Sequence, residues 1–296
     1  MNPTRYVIIT PVRNEAALLQ KTIDSMVAQT ILPIEWIIVN DGSTDKTGEI
    51  IDAAAKKNAW ITAIHRKDRG FRKAGGGVME TFYDGYGRLK TQDWDFLVKL
   101  DGDLSFEPDY FEKCFAHFSA NPKLGIGGGL VCNETSGQRV PDFKDDPKFY
   151  VRGPTKIYSH ACWEGIDGLI KAAGWDTLDV LKANMLGWKT CTFKEVTIIH
   201  HRHTGGADGT WRNWFKNGRA NYIVGYHPLF MFGKCVKRVF RKPYGVTSLA
   251  LWCGFISGYW SKVRVRVTDP AFIHYLRGEQ MRALRGQKCL WNGYEV

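Results

Sequence analysis

Asp101 and Asp103, with Gly102 between them, close the apolar run Phe-Leu-Val-Lys-Leu over residues 96–100. Such a run reads as a buried strand, and open α/β sheets bind their ligands at the carboxyl ends of strands. Two hard oxygen ligands placed there suit a divalent cation, Mg²⁺ or Mn²⁺, held against a diphosphate. A surface turn uses the same residue types, so the triplet takes its meaning from what surrounds it. A second cluster, His200-His201-Arg202-His203, follows the strand-like run over 196–199. Three imidazoles within four positions are candidate metal ligands, and His201 and His203 are the expected contributors. No cysteine lies alongside, which argues against a soft metal.

The elements that must position these groups alternate along the chain. Residues 6–10 read as a strand; Asn14 is placed to cap a following helix through Leu18, Leu19, Ile23, Met26 and Val27. Residues 36–40 form a second strand, followed by Asp41-Gly42-Ser43-Thr44-Asp45 and a helix through Ile50, Ile51 and Ala54. Strands over 61–65 and 96–100 follow. Alternation of this kind predicts right-handed crossovers and a mostly parallel sheet flanked by helices.

Composition narrows the class. A chain of 296 residues, 44% hydrophobic, buries a large core without disulfides. Its seven cysteines are scattered and never spaced as CxxC, which predicts reduced thiols and no zinc site. The first residues carry no apolar leader, so a cytosol-facing protein is expected. Charge is uneven: residues 201–296 hold 16 Lys and Arg against 4 Asp and Glu, whereas residues 1–200 hold 25 against 26. A basic end suits nucleic acid, an anionic membrane surface or a phosphorylated acceptor.

Three segments together resemble family 2 glycosyltransferases of the GT-A fold: Thr10-Pro11-Val12-Arg13-Asn14-Glu15, Val39 through Asp45, and Lys99 through Asp103. The resemblance covers residues 5–205 and implies a nucleotide-sugar-dependent, inverting enzyme with a Rossmann-like sheet. It implies that Asp41 accepts a hydrogen bond from the nucleobase, and that Thr10, Pro11 and Glu15 lie near base and ribose. Asp103 becomes the direct metal ligand, with Asp101 and Gly102 at the ribose or metal. The stretch 69–77 falls near the diphosphate, where Arg72, ranked above Arg69, suits phosphate through its planar fork. The family draws its base from a Glu-Asp pair opening a late helix. Here Trp175-Asp176 stands at that place, so Asp176 is the expected base and Asp179, one turn on, the alternative. Without the family pattern, Asp176 reads as a helix cap.

Residues 206–296 then form a basic, largely helical extension to the domain of residues 1–205. The uncharged stretch 243–261 is flanked on both sides by Lys and Arg. It reads as a buried helix, an interfacial helix or, less easily, a membrane span. Asp269-Pro270 starts a last helix with Phe272, Leu276 and Leu284 on one stripe.

Three functions compete on these grounds. The first is transfer of a sugar from a UDP-sugar or GDP-sugar to a glycan or lipid-linked acceptor, in polysaccharide or glycolipid synthesis at the inner membrane face. The second is a haloacid-dehalogenase-type phosphatase with Asp101 as nucleophile, whose motif stands nearer the N-terminus than here. The third, a nucleic-acid binder, lacks aromatics interleaved with its basic residues.

Overall fold

Strand β1 (Tyr6–Val12) sends alternate side chains into two different cores. The computed structural model describes residues 4–70, 76–135, 138–142, 146–202, 209–261 and 267–295. Val7 and Ile9 share one core with Ile37 and Val39 of β2 (Glu35–Asn40), Ile64 of β3 (Ile61–His65) and Leu97 of β4 (Phe96–Leu100). Helix α3 (Gly76–Tyr86) covers that face with Met79 and Phe82. Tyr6, Ile8, Trp36, Ile38 and Val98 face the opposite core. There they meet α1 (Leu19–Val27), α2 (Thr47–Lys57) and α4 (Tyr110–Ala120). The period of two in a β-branched run, with both faces covered, accounts for the near-continuous apolar sequence of these strands.

The remaining strands are β5 (Leu104–Phe106), β6 (Leu124–Thr135), β7 (Gln138–Pro141), β8 (Thr155–Ser159) and β9 (Lys189–His200). The sheet runs β3-β2-β1-β4-β8-β6-β9-β5, with β7 on β6. The first four strands pair in parallel. Beyond β4 the sheet is mixed: β8 is antiparallel to β4 and β6, β5 is antiparallel to β9, and β6 runs parallel to β9. The sheet is therefore less parallel than the strand-helix alternation suggests, because β8 enters between β4 and β6 without a parallel crossover.

Asn14 does not cap α1, whose N-cap is Leu18 without a side-chain bond. It sits at φ 54° and its Oδ1 accepts the Thr44 amide at 2.9 Å. The side chain that sequence assigns to a helix end is committed to the neighbouring loop.

After α5 (His160–Ile166) and α6 (Trp175–Met185), the chain ends in α7 (Thr210–Val224), α8 (Pro228–Val239), α9 (Val246–Trp260) and α10 (Pro270–Leu284). Helices α7 and α9 cross where only glycine fits. A Cβ on Gly218 would stand 2.0 Å from the Leu251 carbonyl oxygen, and one on Gly254 would stand 2.0 Å from that of Phe215. Stretch 243–261 thus yields a 15-residue helix with Leu251 and Phe255 buried. Among the described residues no helix is long and apolar enough to cross a membrane. Asp269 caps α10, accepting the Ala271 and Phe272 amides at 2.9 and 3.3 Å. Phe272 and Leu276 are buried, whereas Leu284 is exposed. All seven cysteines are free thiols.

Candidate active site

Gly102 is fixed by its surroundings: an added Cβ would lie 2.4 Å from Val12 Cγ1. With a side chain excluded there, the turn after β4 passes close against β1 and presents Asp101 and Asp103 at the sheet edge. Lys99, buried in β4, pairs through Nζ with the Asp101 carboxylate and donates to the Gly153 carbonyl at 2.8 Å. Burial pushes the Asp101 carboxyl up, and the Lys99 charge opposes it. Asp103 Oδ2 stands 3.3 Å from His200 Nε2 and 3.9 Å from Arg202 Nε. Burial raises Asp103, but the bond and charge of His200 outweigh it and hold the carboxyl below its usual range.

Glu15 joins this cluster through a 2.7 Å pair with Arg202. Burial pushes its carboxyl up to about 7, with Asp103 and Asp101 adding to the rise and Arg202 opposing it. The cluster is therefore three carboxylates crowded at one sheet edge. His201 points elsewhere: its Nε2 lies 2.9 Å from Ser105 Oγ, and only its backbone amide reaches the Asp103 carbonyl, at 3.0 Å. His200 is the imidazole beside Asp103; His203 lies outside the described residues.

The loops after β1 and β2 are bound into one unit. Ser43 Oγ accepts the Asn14 amide, Thr47 Oγ1 accepts the Glu15 amide, and Asp45 Oδ2 accepts the Ala16 amide, at 2.9, 2.8 and 3.1 Å. Asp41 accepts from Arg66 Nη1 at 2.8 Å and from Arg69, while Arg13 reaches its carbonyl at 2.9 Å. The Thr10 hydroxyl accepts Trp36 Nε1 at 2.9 Å and is wholly buried, so Thr10 offers a ligand no side-chain contact. Pro11 is half-buried on the same strand. Arg72 falls outside the described residues.

Asp176 lies in the first turn of α6, behind Gly174 at the N-cap. Its Oδ2 accepts the Tyr150 hydroxyl at 3.0 Å, and it lines a cavity of about 1570 Å³. Asp179, one turn on, is 3% exposed and bound by Lys156 Nζ at 2.7 and 2.8 Å and by the Tyr158 hydroxyl at 2.6 Å. A carboxylate so enclosed cannot reach an acceptor. Trp175 connects the two halves of the site, with Lys99 Nζ and Lys156 Nζ 5.2 and 5.4 Å from its ring.

Sequence reasoning passed over Lys99 and Lys156, and it preferred His201 and His203 where His200 is the imidazole beside Asp103. Each ionisable group interrupts or ends an apolar strand, and a charged residue inside a fully buried strand is the signal that finds the two lysines.

Residues 7–166 match the profile of glycosyl transferase family 2, a span that contains Asp41, Asp101 and Asp103 and ends before Asp176. Chondroitin synthase of Pasteurella multocida is 29% identical over 233 residues, 73% of this chain and 22% of that protein. The uncharacterized glycosyltransferase EpsJ of Bacillus subtilis is 39% identical over 133 residues, 45% of this chain and 36% of that one. The chain thus spans well under half the length of these relatives. Among solved structures, the mannosyltransferase PcManGT of Pyrobaculum calidifontis, in complex with GDP-Man and Mn²⁺, superposes with a TM-score of 0.61 at 16% identity. That match covers 87% of this chain and 88% of the other. S. aureus TarS 1-349 with UDP-GlcNAc gives 0.53 at 16% identity, covering 95% and 81%. These likenesses carry the GT-A fold, and the profile spans more than half of the sequence: the chain belongs to glycosyl transferase family 2.

Proposed function

We propose that the protein transfers a sugar, with inversion, from a nucleoside-diphosphate sugar to an acceptor hydroxyl in cell-surface polysaccharide or glycolipid synthesis. The observation that carries this reading is the position of Asp101 and Asp103 at the carboxyl edge of the sheet, joined through Lys99 and Trp175 to the helix whose first turn bears Asp176. Solved neighbours hold GDP-Man or UDP-GlcNAc, so either base is a candidate.

Asp101 and Asp103 would hold Mg²⁺ or Mn²⁺. Glu15, lifted to about 7 chiefly by burial, is raised further by the charges of Asp103 and Asp101, and a divalent cation would relieve that shared negative charge. Among the described residues no three His, Cys, Asp or Glu side chains form a metal cage. Mg²⁺-type sites need none, since one or two carboxylates plus substrate phosphates complete the shell. When bound, the cation supplies Lewis acidity to the departing diphosphate. Asp41, held by Arg66 and Arg69, would accept the nucleobase N–H. Tyr150 orients Asp176 through Oδ2, leaving its other oxygen for the acceptor hydroxyl, whose proton it takes as the oxygen attacks the anomeric carbon.

Phe240, just after α8, and Trp260, at the end of α9, are 78% and 84% exposed, and Lys242 stands two residues from Phe240. That combination suits peripheral attachment to an anionic leaflet. Flotation with anionic liposomes should fall at high salt and in Phe240→Ser/Trp260→Ser; equal flotation with neutral lipid would remove the electrostatic part.

The transfer reading is tested by a panel of UDP- and GDP-sugars with Mn²⁺ or Mg²⁺. A ligand at a hundred times its dissociation constant adds about 2.7 kcal/mol of stability. At least one donor should raise the melting temperature only when metal is present, and be slowly hydrolysed. A panel with no such donor sinks the reading.

A further inference from the structure

Helix α8 buries Met231 and Cys235 and leaves Leu229, Phe232 and Val236 exposed. Its cations Lys234, Lys237 and Arg238, with Arg241 just beyond, line the open cavity that Asp176 also lines. Across that cavity α7 contributes Lys216 and Arg219. Among the described residues nine Lys and Arg line it against two carboxylates, Asp146 and Asp176. Part of this charge rests on aromatic faces: Arg238 lies 3.3 Å over the Trp214 ring and Lys234 lies 5.4 Å over Tyr226. Lys234 and Lys237 form no ion pair with any described acid. Cations gathered in a concave, low-dielectric wall focus a positive potential on whatever enters.

We propose that this groove is the acceptor subsite and that it selects an acceptor carrying phosphate close to the hydroxyl being glycosylated. The inference rests on the transfer reading, in which Asp176 receives the acceptor proton. Arginine forks match the two free oxygens of a phosphodiester, and lysines acting as point charges among them suit the higher charge of a diphosphate. A uronate carries one charge on a planar carboxylate and needs fewer partners than a diphosphate. A planar leaflet does not enter a groove, so the cavity-lining charge of α8 and Arg241 is assigned to the acceptor, and the exposed apolar residues Leu229, Phe232 and Val236 to the bilayer.

Direct binding tests this by calorimetry on the full chain with four probes: a neutral alkyl hexoside, a hexosyl methyl phosphodiester, a hexosyl dodecyl diphosphate and a methyl hexuronide. Both phosphate probes should bind at least tenfold tighter than the neutral one and weaken with salt. Lys237→Gln/Arg241→Gln should lose tenfold or more. Lys56→Gln/Lys57→Gln, the same charge change on the exposed end of α2, should bind like the unaltered chain. A dodecyl diphosphate bound tighter than the soluble phosphodiester identifies a lipid-linked acceptor, and equal affinities identify a phosphoglycan. Equal binding of the neutral probe, tighter binding of the uronide, or anionic vesicles bound where soluble phosphate is not, each overturns the proposal. Unaltered protein that binds no nucleoside diphosphate with Mn²⁺ overturns the transfer reading instead, and probe binding still decides the groove.

Discussion

Lys99 and Lys156 stand directly opposite one another across the β4–β8 pair, both fully buried, and both ammonium groups lie over the Trp175 ring. Like charges opposed in a sheet repel. Here each is compensated on its own side, Lys99 by Asp101 and Lys156 by Asp179. The two ammonium groups share the face of one indole. The arrangement links the Asp101 carboxylate to the helix bearing Asp176.

Removing half of the inner pair should be costly. Asp179→Asn leaves Lys156 enclosed without its counter-charge, and breaking a buried pair costs about 3–5 kcal/mol. Urea denaturation should show a loss of that order, with Tyr158 left to bond the amide.

Asp176→Asn should behave in the opposite way. The half-buried carboxylate lines the cavity and an amide can still accept the Tyr150 hydroxyl, so stability should hardly change, while kcat falls by about 10²–10⁴ with donor affinity retained. Stopped-time assays alongside donor titration decide this; an unchanged kcat assigns the base elsewhere.

Asp103→Ala should abolish metal-dependent binding of nucleoside diphosphate. Calorimetry with and without Mn²⁺ measures it, and binding that persists in the variant removes Asp103 from the metal. A folded variant is expected, because its partner His200 lies at a strand end and keeps its backbone pairing.

Glu15 gives a pH dependence with a definite sign. Its folded value near 7 lies above the ordinary 4.5, so its protonated form is the one the fold favours. The stability it contributes is complete below about 4.5 and is lost as pH rises through 7. In chelator-treated protein, stability relative to Glu15→Gln should fall between pH 4.5 and 8 by on the order of 3 kcal/mol. A difference independent of pH would refute the shift.

Gly254→Ala should separate α7 from α9. The new methyl would meet the Phe215 carbonyl at 2.0 Å, and overpacking of this kind costs about 1–3 kcal/mol. Thermal melting measures the loss.

Much of the first half was legible because its strands are short apolar runs buried on both faces, each ending in a recognisable loop. Asp41, Asp101 and Asp103 were singled out at those strand ends, and the structure gathers Glu15, Asp101 and Asp103 at one edge. The antiparallel half was not legible, since β6 carries the glycine run Gly127-Gly128-Gly129, where Cβ atoms would strike Phe193, the Thr155 carbonyl and Tyr110. Choosing among adjacent histidines also fails from sequence: along a strand, successive side chains face opposite ways, so one position separates His200 on Asp103 from His201 on Ser105. The direction in which α8 turns its charge depends on a cavity built by α6, α7 and α10, and no local pattern encodes it.

The bonds that tie Asn14, Glu15 and Ala16 to Ser43, Thr44, Asp45 and Thr47 have a mechanical consequence. The rim over the first two strands is a single stiff plate, so a force applied at Asp41 by a base is felt at Glu15, beside the aspartates. Base and diphosphate ends of a donor would then be gripped against one rigid jaw, and any closing movement must come from the opposite side of the cleft.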